Sequence, residues 1–231
     1  MGAVRQRSDV PFERFYAWAA AGVEEKLTLA ALAHHAGRAP GAMVVAKRQG
    51  VIEGRLVVEY ARAVGRSPLE ALAESLDMDE LRAAPEPSQT EMLSQVPYAV
   101  MLEEVAARLG GAPRSTSLPT GGTSGGRWID ALGEMTGARI AALAESVGME
   151  YEAFKSKRWR GTFLPTELHA VSEQTGGTMQ VGLVAQGWLT WAETKLAPQG
   201  REDTLAAWST ADMFAWLEGA VPELRRAEPK R

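Results

Sequence analysis

Three glycines recur along this chain at a constant offset of 111 residues. Gly37, Gly50 and Gly65 align without a gap on Gly148, Gly161 and Gly176. Glycine is the usual residue where a helix ends in a left-handed backbone conformation, so glycines in register indicate helix ends at equivalent positions. The residues around them also match, with "LAALAHHAG" (29–37) lying on "IAALAESVG" (140–148). The sequence therefore predicts one helical unit that is used twice.

Between these glycines, apolar residues recur at spacings of three and four, the period of a helix with one buried face. The segments "VVEYARAVG" and "ELHAVSEQTGG" show this pattern, and both end at glycine. Runs of alternating polarity, which would indicate strands, are scarce. We predict an all-α fold in which short helices joined by short turns pack as small bundles.

The composition changes along the chain and suggests its domains. The segment "GGAPRSTSLPTGGTSGG" (110–126) is mostly Gly, Pro, Ser and Thr, which is typical of a flexible linker. A helix over 94–109 is expected to precede it. We predict a first domain over 1–83, a connecting helix and flexible linker over 84–126, a second domain over 127–190 and a C-terminal helical extension over 191–231.

The C-terminal part of the chain is rich in tryptophan. It holds Trp188, Trp191, Trp208 and Trp216, four of the seven tryptophans. Ser209 followed by Asp212 resembles a capping box at the start of a helix. We expect a helix packed on the second domain, with these aromatic side chains in its core. Self-association through this Trp-rich segment, or a small-molecule pocket among the tryptophans, are the alternatives.

The charge of the chain is unevenly distributed, although its formal net charge is −4. Residues 1–66 carry a net +4, residues 67–126 a net −6 and residues 127–231 a net −2. Salt screens charges beyond ~10 Å, so a basic patch keeps its local field inside an acidic chain. The stretch "FKSKRWRG" (154–161) contains four cations within six residues. It is either a solvated helix face or a surface that binds an anionic partner.

The residue inventory argues against several functions. The chain has no cysteine, and therefore no disulfide or thiolate metal site, which fits a cytoplasmic location. His34 and His35 are adjacent and point to different helix faces, and His169 is the only other histidine, so no metal site is expected. The sequence has neither a Gly-x-Ser-x-Gly nor a Ser-x-x-Lys pattern. No apolar run approaches the ~18 residues of a membrane span. We expect a protein that is not an enzyme, needs no cofactor and has no membrane contact.

Each copy contains two helices joined by a tight glycine-containing turn, the layout of a helix-turn-helix motif. The stretch "IAALAESVGMEYEAFKSKRWRGTFLPTELHAVSEQTGGT" resembles the lambda-repressor-like (XRE-type) helix-turn-helix family, and "LAALAHHAGRAPGAMVVAKRQGVIEGRLVVEYARAVGRSP" resembles it more weakly. The resemblance covers 28–72 and 139–183, with the leading helices "FERFYAWAAAG" and "RWIDALGEMTG" before them. It implies that the second helix of each motif enters the DNA major groove.

For copy two, the resemblance implies that Met149 and Phe154 face the core, and we expect Trp159 in the core as well. The acidic residues would accept hydrogen bonds from cytosine or cap the helix, and the basic ones would bind phosphates or guanine. The candidate DNA-binding residues of this copy are Glu150, Tyr151, Glu152, Lys155, Ser156, Lys157, Arg158, Arg160 and Thr162.

For copy one, Met43 is expected in the core, and the small residues of the second helix would allow close approach to thymine methyl groups. Arg62 and Arg66 would add charge of the kind that binds phosphates. The candidate DNA-binding residues of this copy are Arg38, Ala39, Pro40, Gly41, Val44, Val45, Lys47, Arg48, Gln49 and Arg55.

These features together predict a sequence-specific regulator of transcription that binds double-stranded DNA. The resemblance suggests a repressor of the phage or prophage immunity type from a high-GC host; a host regulator is equally compatible with the residues. Two dissimilar reading helices predict an asymmetric bipartite operator that one tethered chain occupies. The alternative is an adaptor or antitoxin that uses the same helices to hold a partner protein.

Overall fold

A computed structural model describes residues 9–23, 26–83, 86–119, 121–122, 125–196 and 200–227, with side chains from residue 10 to residue 219. These residues are predominantly helical. They contain a single sheet, a two-stranded antiparallel ribbon. The predicted all-α class is therefore confirmed at this level.

The first copy begins with one strand of the ribbon and continues through five helices, with the second strand between the third and the fourth. In the ribbon, Val10 pairs with Ile52. The elements are β1 (Asp9–Pro11), α1 (Phe12–Ala20), α2 (Leu29–His35), α3 (Pro40–Gln49), β2 (Val51–Glu53), α4 (Gly54–Ala63), α5 (Pro68–Leu76) and a first 3-10 helix (Asp79–Arg82).

The connection between the copies contains two helices, α6 (Gln89–Ser94) and α7 (Tyr98–Arg108), in place of the single helix expected over 94–109. Beyond α7 the chain is held against the protein. The backbone N–H groups of Ser115 and Thr116 donate to Glu103 at 3.0 and 2.9 Å. Arg201 donates to the carbonyl of Pro119 at 2.7 Å. The segment predicted as a flexible linker therefore has specific contacts on both sides.

The second copy repeats the first without the ribbon in its described residues. Its elements are α8 (Gly125–Thr136), α9 (Ile140–Ser146), α10 (Tyr151–Arg160), α11 (Pro165–Thr175), α12 (Met179–Ala185) and a second 3-10 helix (Trp191–Glu193). Helix α8 starts at Gly125, inside the segment 110–126 that the sequence predicts to be linker.

The offset of 111 residues holds in the backbone. Helices α2, α3, α4 and α5 start at residues 29, 40, 54 and 68, and α9, α10, α11 and α12 start at 140, 151, 165 and 179. All six aligned glycines have positive φ, with values of 74° at Gly50 and 63° at Gly161. Both copies therefore follow the same succession of helices and left-handed helix ends.

The core joins the two copies. Buried apolar side chains from both belong to one contiguous cluster, which includes Phe15 and Leu72 of the first copy and Trp128 and Leu168 of the second. Burial of apolar surface is the main favourable contribution to folding. The copies are therefore docked on each other, and the prediction of bundles joined only by a connecting helix and linker needs that correction.

The C-terminal helices α13 (Gly200–Ala207) and α14 (Thr210–Ala227) form a smaller core with α6 and α7. Helix α13 also contacts the end of the second copy, where Arg201 lies over the ring of Trp191 at 4.5 Å. Trp188 and Trp191 lie in the main core, whereas Trp208 and Trp216 pack edge to face in the smaller one, with ring centroids 5.8 Å apart. The expected cap is present, since the N–H of Asp212 donates to Ser209 Oγ at 3.1 Å.

The contacts between the copies are reciprocal. Helix α4 of the first copy meets the second 3-10 helix, where Arg62 donates to both carboxylate oxygens of Glu193 at 2.6 and 2.8 Å. Helix α11 of the second copy meets the first 3-10 helix, where His169 Nδ1 lies 3.2 Å from Glu80 Oε1. Equivalent surfaces that contact each other in both directions are the pattern of a two-fold dimer interface. In the two copies, equivalent helices thus contact the 3-10 helix of the other copy, through different residue pairs.

The pair formed by Arg62 and Glu193 is expected to make this contact sensitive to acid. The hydrogen bond from Arg62, more than the N–H of Thr190, holds the pKa of Glu193 below its ordinary value. A lowered folded-state pKa contributes stability above the unfolded pKa, and that stability is lost as the pH falls through the folded pKa.

We expect Glu193→Gln to lower the free energy of unfolding by about 1 kcal/mol near neutral pH. We expect this difference to shrink as the pH falls through the lowered pKa of Glu193 and the carboxylate becomes protonated. Urea unfolding at a series of pH values measures this difference. A difference that does not change with pH would contradict the role given to the ion pair.

Candidate nucleic-acid interface

Helices α3 and α10 are the most outward-facing elements of the two copies. Each has one buried side chain, Met43 in α3 and Phe154 in α10, both with 0% exposure. Each ends at a left-handed glycine. Pro40 occupies the first turn of α3, and Glu150 caps α10 by accepting from the N–H of Ala153 at 3.3 Å. These local signals begin and end the two helices at equivalent positions of their copies.

The same five positions form the outer face of both helices. Residues at i, i+1, i+4, i+5 and i+8 share one face of a helix. In α3 these are Pro40, Gly41, Val44, Val45 and Arg48, all exposed; in α10 they are Tyr151, Glu152, Lys155, Ser156 and Trp159, all exposed except the half-buried Ser156. The two copies therefore present equivalent faces of different chemistry.

Two of the four cations of "FKSKRWRG" fix α10 to its neighbours. Lys157 Nζ lies 2.6 Å from Glu167 on α11. Arg158 makes a two-pronged pair with Asp130 on α8, with Nε donating to Oδ1 at 2.7 Å and Nη2 donating to Oδ2. These side chains are half-buried. Their first role in this structure is to hold the helix in place.

The other two cations of this stretch point outward. Lys155 is exposed, with its Nζ 3.6 Å from Glu152 and 5.7 Å from the centre of the Tyr151 ring. Arg160 is exposed and has no ion pair with any described residue. An exposed ion pair contributes little energy and is easily exchanged for another partner. Lys155 and Arg160 are therefore the cations of α10 that an anionic partner can reach.

Trp159 was expected in the core, and that expectation is wrong because its exposure is 66%. The single inward position of α10 is taken by Phe154, which packs edge to face on Phe163 at 5.0 Å. A residue five positions later lies ~140° around the helix and faces away from that contact. The spacing from Phe154 was the signal in the sequence that could have placed Trp159 outside.

Helix α3 offers fewer polar groups than α10. Lys47 and Arg48 are exposed and have no ion pair within the described part of the chain. Val44 and Val45 are 55% and 41% exposed. Arg38 is exposed and lies 3.9 Å from Glu59. The remaining candidates Ala39, Gln49 and Thr162 are also exposed.

Three arginines that the sequence suggested for phosphate binding have protein partners. Arg55 donates to the carbonyl of Gly187 at 2.9 Å and lies over the ring of Trp188 at 4.5 Å. Arg62 binds Glu193, as described above. Arg66 donates to the carbonyl of Trp18 at 2.8 Å and covers its ring at 3.8 Å. These charges hold the copies and their helices together.

No protein-family model, curated protein or solved structure matches this chain. Among the described residues, no helix has the length and apolar character needed to cross a membrane. The same residues contain no group of three or more His, Asp or Glu side chains placed to hold a metal ion.

Proposed function

We propose that this protein is a transcriptional regulator that binds double-stranded DNA through α3 and α10, as the resemblance to XRE-type repressors suggests. One observation supports the proposal: α3 and α10 turn the same five positions outward in both copies, and all of these residues are exposed except the half-buried Ser156. A helix that buries a single side chain and turns its outer face to solvent has the form needed to enter a major groove.

The outward cations supply the affinity. Lys155 and Arg160 of α10, with Lys47 and Arg48 of α3, form a set of four exposed basic side chains. Each phosphate that a cation neutralises releases condensed counterions, so four contacts give a slope of about −3.6 for log K against log salt. Steep salt dependence is therefore expected although the chain carries a net charge of −4.

The docked copies determine the spacing of the operator. A free tether would raise the effective concentration of the second unit and would tolerate variable spacing. Reciprocal contacts across a shared core instead hold α3 and α10 in one relative placement. Such an arrangement requires two dissimilar half-sites at a single separation.

Selection of bound DNA from a random pool tests this proposal. We expect a composite motif with one spacing between its halves. Inserting about five base pairs, half a helical turn, should weaken binding at least ~100-fold, because one half-site is lost. As a control, lengthening the chain between the exposed Gly111 and Ala112 with Gly and Ser should leave the affinity unchanged. Operators that tolerate variable spacing would contradict the docked arrangement, and failure to select any sequence would contradict the proposal itself.

An adaptor that holds a partner protein is the second candidate, and the exposed apolar side chains favour it. Val44, Val45, Tyr151 and Trp159 are all at least 40% exposed on the two outer faces. Aromatic side chains of this kind anchor protein interfaces. A DNA mobility-shift assay separates the two functions, since the regulator shows a steep loss of affinity with salt and the adaptor shows no shift.

A further inference from the structure

A cavity of about 750 Å³ lies between the second copy and the C-terminal helices. Its wall combines aromatic side chains with carboxylates from α7, α8, α14 and the turn before α14. The residues that matter here are Tyr98, Asp130, Glu134, Trp208, Asp212 and Trp216. Aromatic walls with a few charged groups are the usual composition of a small-molecule site.

The charge of this cavity is negative. Among the described residues, three carboxylates and Arg127 line it, and Arg158 of α10 pairs with one of those carboxylates, Asp130, so these five side chains sum to a charge of −1. The Arg127 guanidinium lies over the ring of Tyr98 at 4.0 Å and donates to the carbonyl of Val96 at 2.8 Å, so it already has partners in the wall. Burial, and then the neighbouring carboxylate of Asp130, raise the pKa of Glu134. A bound cation would relieve this crowding of negative charge.

The aromatic side chains suit the same ligand. Trp208 and Trp216 lie edge to face in the wall of the cavity, with ring centroids 5.8 Å apart. Faces of Trp and Tyr attract cations, and the attraction grows when water is excluded. We propose that this cavity binds an organic cation with an apolar, aromatic body.

The cavity is connected to the proposed DNA-binding helix through one carboxylate. Asp130 lines the cavity and also holds Arg158 of α10. Without a ligand, Asp130 holds Arg158, and Arg158 is not among the cations that DNA reaches. A cation that takes Asp130 releases Arg158, which can then bind a DNA phosphate. The ligand that binds first breaks the ion pair between Asp130 and Arg158. The second ligand then binds without the cost of breaking it. The two ligands therefore favour each other, by the same factor in both directions. This coupling rests on the proposed function, whereas the cavity site does not.

Tetraphenylphosphonium and tetraphenylborate test the cavity, because they match in shape and differ in the sign of their charge. In calorimetry on the full chain without DNA, we expect the phosphonium to bind at least tenfold more tightly than the borate. Glu134→Gln should weaken phosphonium binding at least threefold. Glu145→Gln, which changes an exposed carboxylate on α9 outside the cavity, is the matched control and should have no effect. Equal or tighter borate binding, no phosphonium binding, or an unchanged affinity in Glu134→Gln would each overturn the site.

The coupling has its own test. We expect saturating phosphonium to raise the affinity for the selected operator about fivefold, at the lower end of allosteric couplings. The increase should vanish in Asp130→Asn, which lacks the shared carboxylate. Phosphonium that binds without changing the affinity for DNA, or that lowers it, would overturn the coupling. Failure of the chain to select any DNA would refute the proposed function and with it the coupling, while calorimetry still decides the cavity.

Discussion

Lys155→Glu combined with Arg160→Glu is expected to weaken binding to the selected operator at least ~100-fold at about 0.1 M salt. Both side chains are exposed, and Arg160 has no ion pair with a described residue, so the fold does not depend on them. Each reversal removes one phosphate contact and adds repulsion. Mobility-shift titrations at several salt concentrations measure both the affinity and its slope, which should fall in magnitude by about two.

The choice of these two cations matters, because Lys157→Glu or Arg158→Glu would break the pairs with Glu167 or Asp130 and would confuse binding with stability. Arg14→Glu is the control for a single reversal. This arginine is exposed on α1 and pairs with the exposed Asp77, so its loss should change neither the fold nor the affinity appreciably. An affinity of the double variant within threefold of the wild type would remove α10 from the proposed interface.

The helical path of both copies could be predicted from the sequence because the signals are local. A glycine such as Gly50 or Gly161 ends a helix through its own backbone conformation, and the apolar period around it places the buried face. The burial of Met43 and Phe154, which was expected from the resemblance to the helix-turn-helix family, is confirmed. Exposure of most α3 and α10 candidates followed from that placement.

The docking of the copies could not be predicted, because it depends on pairs far apart in the chain. Arg62 and Glu193 are 131 residues apart, and nothing in the sequence around either residue indicates that they form a pair. The same limit explains why Arg55 was assigned to DNA, although its guanidinium lies on Trp188. An arginine that binds a phosphate and one that binds a carbonyl look alike in one sequence. Only the folded arrangement separates them.

Trp188→Ala is expected to lower the free energy of unfolding by about 3–5 kcal/mol, the usual cost of removing a large buried aromatic side chain. Trp188 is 4% exposed, and its Nε1 donates to the carbonyl of Phe163 at 3.0 Å within copy two. On its other side it meets copy one, where Arg55 lies over its ring and Gly54 leaves room for the indole. Its loss would therefore weaken both the contact between the two copies and the packing within the second copy. Urea unfolding followed by circular dichroism gives the value.

Trp159→Ala is the matched control, since it removes the same side chain from a site that is 66% exposed and should cost less than about 0.5 kcal/mol. Because one core joins the copies, the wild type should unfold in a single transition. Weakening the junction in Trp188→Ala should separate the copies into two transitions or broaden the one. If the two substitutions lower the free energy of unfolding by equal amounts, Trp188 does not stabilise the contact between the copies. The fixed operator spacing would then lose its structural basis, because the copies would be free to move on their connecting segment.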